Sequence, residues 1–183
     1  MERSPLVNID HLLHTLAHHP ITVAEVPFIE QATHHFTAAN SELANKASEL
    51  WLLLSEREDY LACLGTLLQH THDPLTKTMA YHSLRSHIDS RWEAIGSEHR
   101  RELITHLVAS TQEALQTNSQ HPEQQKLLHA LNASLAAILK HEQATLIPEF
   151  VRQLEADCLG KEPPFTANSL KVINLLIVEA FNS

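Results

Sequence analysis

Apolar residues return at intervals of three or four along almost the whole chain, and this periodicity constrains the fold more than any other feature. Leu43, Ala47, Leu50 and Leu54 form one stripe, Tyr60, Leu64 and Leu68 a second, and Tyr81, Leu84 and Ile88 a third. Ile104, Leu107, Thr111 and Leu115 follow, then Leu128, Leu131, Leu135 and Ile138. Ile147, Phe150 or Val151, Leu154 and Cys158 make a sixth stripe, and Leu170, Ile173, Ile177 and Ala180 the last. Each stripe occupies one side of a 3.6-residue helix and is suited to burial on that side.

The breaks between stripes carry helix punctuation. Ser55 and Glu58 have the capping-box spacing, in which a hydroxyl and a carboxylate satisfy orphan amides at a helix start. Asp73-Pro74 reads as an N-cap followed by proline at the first helical position. Gly96-Ser97 and His121-Pro122-Glu123 mark further starts, and Lys161-Glu162-Pro163-Pro164 is a loop. The pattern predicts helices near 6–18, 26–38, 41–55, 57–71, 75–93, 98–117, 123–142, 145–158 and 167–181.

Short connections between amphipathic helices imply antiparallel neighbours, so the helices pair at about 26–55, 57–93, 98–142 and 145–181. A period of two helices is the signature of an α-solenoid of the HEAT or armadillo type, with a compact helical bundle as the alternative. The expected fold is therefore all-α, an α-α superhelix of about four antiparallel hairpins. The last helix, Leu170 to Val178, is apolar nearly all round although the sequence stops at Ser183. A terminal repeat normally shows water a polar face. We therefore expect this helix to carry another layer, or to drive self-association.

Composition removes several function classes. Three glycines, Gly65, Gly96 and Gly160, are too few and too scattered for a phosphate-cradling loop. A formal charge of −9 makes the chain a poor counterion for nucleic acid, and its longest basic cluster is only Arg100-Arg101. The longest strongly apolar stretch, Val172–Val178, is far too short to span a bilayer, and the first residues do not form a secretory signal. Cys63 and Cys158 each sit in an apolar pattern and read as reduced core thiols. The sequon Asn132-Ala133-Ser134 falls in the middle of a predicted helix and carries no weight.

The fifteen histidines invite a metal reading that the spacing does not support. His14 and His18 are four apart, which puts two imidazoles on one helix face, but no third ligand lies near them in sequence. The doublets at His18-His19, His34-His35 and His70-x-His72 have no cysteine or carboxylate in register, so the histidines read as surface residues without a ligand role. His141-Glu142 opens like a zincin helix, but Thr145 stands where the second histidine is required. There is no Gly-x-Ser-x-Gly elbow. The expectation is a chain that is not an enzyme and takes neither cofactor nor metal.

What remains is surface. With Leu84 at the centre of a buried face, Thr78, His82, Arg85 and Asp89 fall on the opposite side of the helix over 75–93. The same construction on the helix over 41–55 exposes Glu42, Asn45, Lys46 and Glu49. These eight are the candidate partner-binding residues.

Two segments carry a family resemblance. Thr76-Lys77 through Leu84, Ile88 and Arg91-Trp92 resembles the second helix of the second repeat in exportin-1-like nuclear export receptors of the karyopherin (importin-β) superfamily. Leu131-Asn132 through Ile138-Leu139-Lys140-His141-Glu142 and on to Pro148-Glu149-Phe150-Val151 resembles a later stretch, and the last helix continues the register to Glu179 and Phe181. The resemblance spans about residues 40–183. It departs from the family at Gln143-Ala144 and Ile147, where tryptophans are usual, and at Ser86, where asparagine is common among relatives.

The resemblance implies an amino-terminal extension with one short helix over 1–25, importin-β amino-terminal-like HEAT repeats over 26–106, and exportin-1-like HEAT repeats over 107–183. It implies a Ran-GTP-binding arc of a transport receptor, a fragment or truncated paralogue, shuttling between nucleus and cytoplasm. Its partners would be the small GTPase Ran in its GTP form and nuclear pore proteins, with no nucleic acid and no membrane. The alternative is a general HEAT-repeat interaction scaffold without Ran binding.

Overall fold

The computed structural model describes residues 5–37, 41–116, 121–142, 167–168 and 171–172. Among them there is no β-strand, and the all-α class expected from the periodicity is observed. The helices are α1 (Pro5–His18), α2 (Val26–His34, followed by a 3-10 turn His35–Thr37), α3 (Ser41–Glu56), α4 (Tyr60–His70), α5 (Pro74–Arg91, followed by a 3-10 turn Trp92–Ala94), α6 (Ser97–Gln116) and α7 (Pro122–His141). The helices expected at 145–158 and 167–181, the apolar last helix with them, lie outside the described residues, apart from four helical positions at 167–168 and 171–172.

The chain divides into two compact units, Met1–Leu84 and Arg85–Ser183. The division falls inside α5.

In the first unit α1 packs most extensively against α3, and α2 rests on both. α1 and the turn after it contribute Ile9, Leu12, Leu16 and Ile21 to the core of this unit. Against these lie Ile29 and Ala32 of α2 and Ala47, Leu50, Trp51 and Leu54 of α3, all buried. The Trp51 indole donates to Thr33 Oγ1 at 3.2 Å, and the Thr33 hydroxyl donates to the Ile29 carbonyl at 2.7 Å. Both buried polar groups are thereby satisfied, which avoids a desolvation cost of about 1–3 kcal/mol for each.

Arg57, just beyond α3, clasps Asp59 with Nε–Oδ1 at 2.6 Å and Nη2–Oδ2 at 2.8 Å, and donates from Nη1 to the carbonyl of Leu16. Leu16 lies in the last turn of α1, where carbonyls have no partner within the helix, so one side chain closes α1 and shapes the entry to α4. The guanidinium beside Asp59 holds that carboxyl below its ordinary range. This arrangement replaces the expected capping box. Ser55 donates to Leu52 inside α3, and α4 begins without a side-chain cap.

The start of α5 follows the sequence reading. Asp73 Oδ2 accepts from the Thr76 amide at 2.8 Å and the Thr76 hydroxyl at 2.6 Å, with Pro74 at the first helical position. The same loop is tied to α2 through Thr71 to Glu30 at 2.6 Å and His34 to Asp73 at 3.1 Å. Tyr60 of α4 donates to the Ala80 carbonyl of α5 at 3.3 Å, and burial pushes its phenol pKa above the ordinary value.

In the second unit α6 and α7 are antiparallel. Gln124 near the start of α7 donates to Ala114 near the end of α6 at 3.3 Å, while Arg100 near the start of α6 meets Glu142 at the end of α7 at 3.1 Å. This is the hairpin expected over 98–142. From Leu127 to Leu139 α7 is buried on nearly every side, with only His129 exposed and Leu135 half-buried. Asn132, at 2% exposure, exchanges two hydrogen bonds with Asn168, at 2.7 and 3.0 Å. The sequon asparagine is thus a core residue, and Ser134 is fully buried beside it.

Candidate partner surface

The outward face of α3 follows from the way the helix is buried. Ala47, Leu50, Trp51 and Leu54 take one side at the i, i+3, i+4, i+7 spacing of a core-facing stripe. The opposite side then carries Glu42, Asn45, Glu49, Leu52 and Glu56, each three or four residues after the last, and all five are exposed. Three carboxylates, one amide and one leucine (58% exposed) form a continuous row on a single rigid helix. Sequence reasoning named Glu42, Asn45 and Glu49 but missed Leu52 and Glu56. The same heptad step extended by one turn reaches both.

Lys46 does not share this row. Its ammonium pairs with Asp10 of α1, and that hydrogen bond chiefly raises its pKa, with further help from the charges of Asp10, Glu49 and Glu42. Lys46 therefore serves the α1–α3 junction, and the row is left with carboxylates as its only formal charges.

The α5 candidates separate. Thr78 is buried, at 6% exposure, and its hydroxyl donates to the Pro74 carbonyl at 2.8 Å, so its expected place on the outer face is corrected. The expectation assumed a single buried stripe centred on Leu84. In fact α5 is covered over a much wider arc that takes in Thr76, Thr78, Ala80, Tyr81, Leu84, His87 and Ile88. His82 and Asp89 are exposed, as expected, and Arg85 is half-buried. Arg85 Nε lies 3.7 Å from Asp89 Oδ2, and His141 Nε2 lies 3.9 Å from Asp89 Oδ1. Asp89 is therefore engaged locally by two basic side chains.

A polar cluster that the sequence did not announce lies where α5 ends and α6 begins. Arg100 donates to the carbonyls of Ile95 and Trp92, both at 2.8 Å, and shares Glu142 with the Trp92 indole. The ring of His141 stacks on Trp92 with centroids 5.9 Å apart. The Arg100 guanidinium and the Trp92 indole both find acceptors within the cluster, which marks it as a device that fixes the turn.

An open depression of about 510 Å³ runs along α6, lined by Glu98, Arg101, Glu102, Thr105, His106 and Ala109. It mixes both signs of charge on one helix. Among the described residues no three His, Cys, Asp or Glu side chains converge in a metal-binding group, and no helix is long and apolar enough to cross a membrane. Cys63 is a buried free thiol, while Cys158 lies outside the described residues. No protein-family model matches the chain, and no curated protein matches it.

Proposed function

We propose that the chain is a helical protein-interaction module, the amino-terminal arc of an exportin-1-like nuclear transport receptor, and that it meets Ran in its GTP form through the outer row of α3. The observation that carries the reading is the row itself. Glu42, Asn45, Glu49, Leu52 and Glu56 present acidic charge around one exposed leucine on a helix whose other side is locked into the core. Such a face suits a basic protein surface with an apolar contact at its centre.

The residue resemblance at 76–92 and 131–151 supplies the identity of the partner. The antiparallel α6–α7 pair is the kind of unit from which HEAT-type superhelices are stacked. In a full receptor the GTPase and cargo would each favour one curvature of the solenoid and so strengthen one another. This arc would retain the GTPase side, would shuttle between nucleus and cytoplasm, and would meet nuclear pore proteins there.

The test is capture of purified Ran by the immobilised chain, with Ran loaded either with GDP or with a non-hydrolysable GTP analogue. Selective capture of the GTP form supports the reading. The double reversal Glu42→Lys with Glu49→Lys should weaken that capture by about tenfold, roughly 1.4 kcal/mol, and steepen none of its salt dependence. Equal capture of both forms, or none of either, replaces it with a general helical scaffold that has no Ran link.

A further inference from the structure

The inner side of α1 is fixed by Ile9, Leu12 and Leu16, which are buried against the rest of the first unit. His14 and His18, one turn apart, are consequently turned outward, and both are exposed. Their ring centroids lie 5.1 Å apart with the planes inclined at 69°. Two imidazoles bound to one ion through metal–nitrogen bonds of about 2.0–2.1 Å carry their ring centres roughly 5 Å apart at a tetrahedral angle and roughly 4.5 Å apart at the right angle of a square-planar ion. The observed separation is close to both, and chelation needs the rings turned about their side-chain bonds so that one nitrogen of each faces a common point.

We propose that His14 and His18 form a two-histidine chelate for a late first-row divalent cation on the outer face of α1. Imidazole pairs favour Cu²⁺, Ni²⁺ and Zn²⁺, and Cu²⁺ binds most tightly in that series. The remaining coordination positions go to water or to a donor from another molecule. The carboxylate of Asp10, one turn before His14, is paired with Lys46 of α3. The helix that sets the spacing is held in place, since the same Asp10–Lys46 pair fastens α1 near the start of α3 and the Arg57 bond to the Leu16 carbonyl fastens it just beyond the end of α3. His34, by contrast, has its ring engaged with Asp73.

Both rings are solvent-facing, so removing either should leave the fold intact, and far-UV circular dichroism with thermal melting checks that. The experiment is titration of the ¹⁵N-labelled chain with substoichiometric CuCl₂, followed by paramagnetic broadening of backbone amide signals. Broadening should begin at residues 10–19. His14→Gln and His18→Gln should each raise the metal concentration for half-broadening of those signals by about tenfold or more, as loss of a ligand should cost at least as much as loss of a supporting group. His129→Gln, at an exposed histidine on α7, should leave them unchanged. Acidification should release the metal, because a protonated imidazole has no lone pair to offer. Broadening that begins elsewhere in the chain, or that persists at α1 unchanged in both variants, overturns the proposal.

Discussion

The guanidinium of Arg100 lies 4.9 Å from the centre of the Trp92 ring, and the two side chains donate to the same carboxylate oxygen of Glu142, at 3.1 and 3.0 Å. Arg100 also caps the carbonyls of Trp92 and Ile95. One arginine thus satisfies the turn between α5 and α6 and neutralises a carboxylate at the carboxyl end of α7, where the helix dipole disfavours negative charge.

Arg100→Met keeps much of the aliphatic stem but removes one of the donors to Glu142 and the arginine donor to two carbonyls. The expected loss is about 2 kcal/mol, below the value for a fully buried pair because both side chains keep some solvent contact. Urea denaturation in a Trp51→Phe background, where Trp92 is the remaining indole, reads this locally. A loss under about 0.5 kcal/mol would place the cluster among ordinary surface contacts.

Asp73→Ala should cost about 1 kcal/mol at neutral pH, the usual value of an N-cap. The pH dependence has a definite sign. Burial pulls the Asp73 carboxyl upward, but the bonds from Thr76 and the neighbouring His34 outweigh it and leave the pKa below its ordinary value of 3.8. The fold therefore favours the ionised form. The contribution is complete above the unfolded value and is lost as pH falls through the lower folded value. The stability difference between wild type and Asp73→Ala should be constant from pH 7 to about 5 and shrink below about 4, as measured by denaturation at each pH.

Asn132→Ala strands the buried amide of Asn168 and should cost about 2–3 kcal/mol, through one lost buried bond pair and the unmet partner. Replacing both asparagines with leucine should recover much of that loss, since apolar substitution of both partners leaves nothing unsatisfied. A double-mutant cycle in denaturant with a coupling below about 0.5 kcal/mol would mean that the pair is not a unit.

Thr78→Arg and His82→Arg form a matched pair on α5. The first forces a charge into a buried position and should destabilise by at least about 2 kcal/mol. The second lies on the exposed edge and should stay within about 0.5 kcal/mol. Equal thermal shifts for the two variants would contradict the burial of Thr78.

The helical class and most helix starts were determined by the sequence alone, because their causes act within one turn of chain. Asp73 reaches its own Thr76, and Pro74 and Pro122 preset the backbone that follows them. Glu42, Asn45 and Glu49 were legible for the same reason: α3 is covered on one side only, so periodicity identifies the exposed face. Tertiary structure decided the rest, since its causes lie tens of residues away. Arg57 claimed Asp59 and the Leu16 carbonyl and displaced the local capping box. Lys46 turned to Asp10 across 36 residues, and coverage of α5 over a wide arc buried Thr78, which a one-stripe pattern leaves in water. Asn132 found Asn168 at the same sequence distance. Local pattern specifies which way a helix is amphipathic; how many of its sides become covered depends on neighbours that only the folded chain brings together.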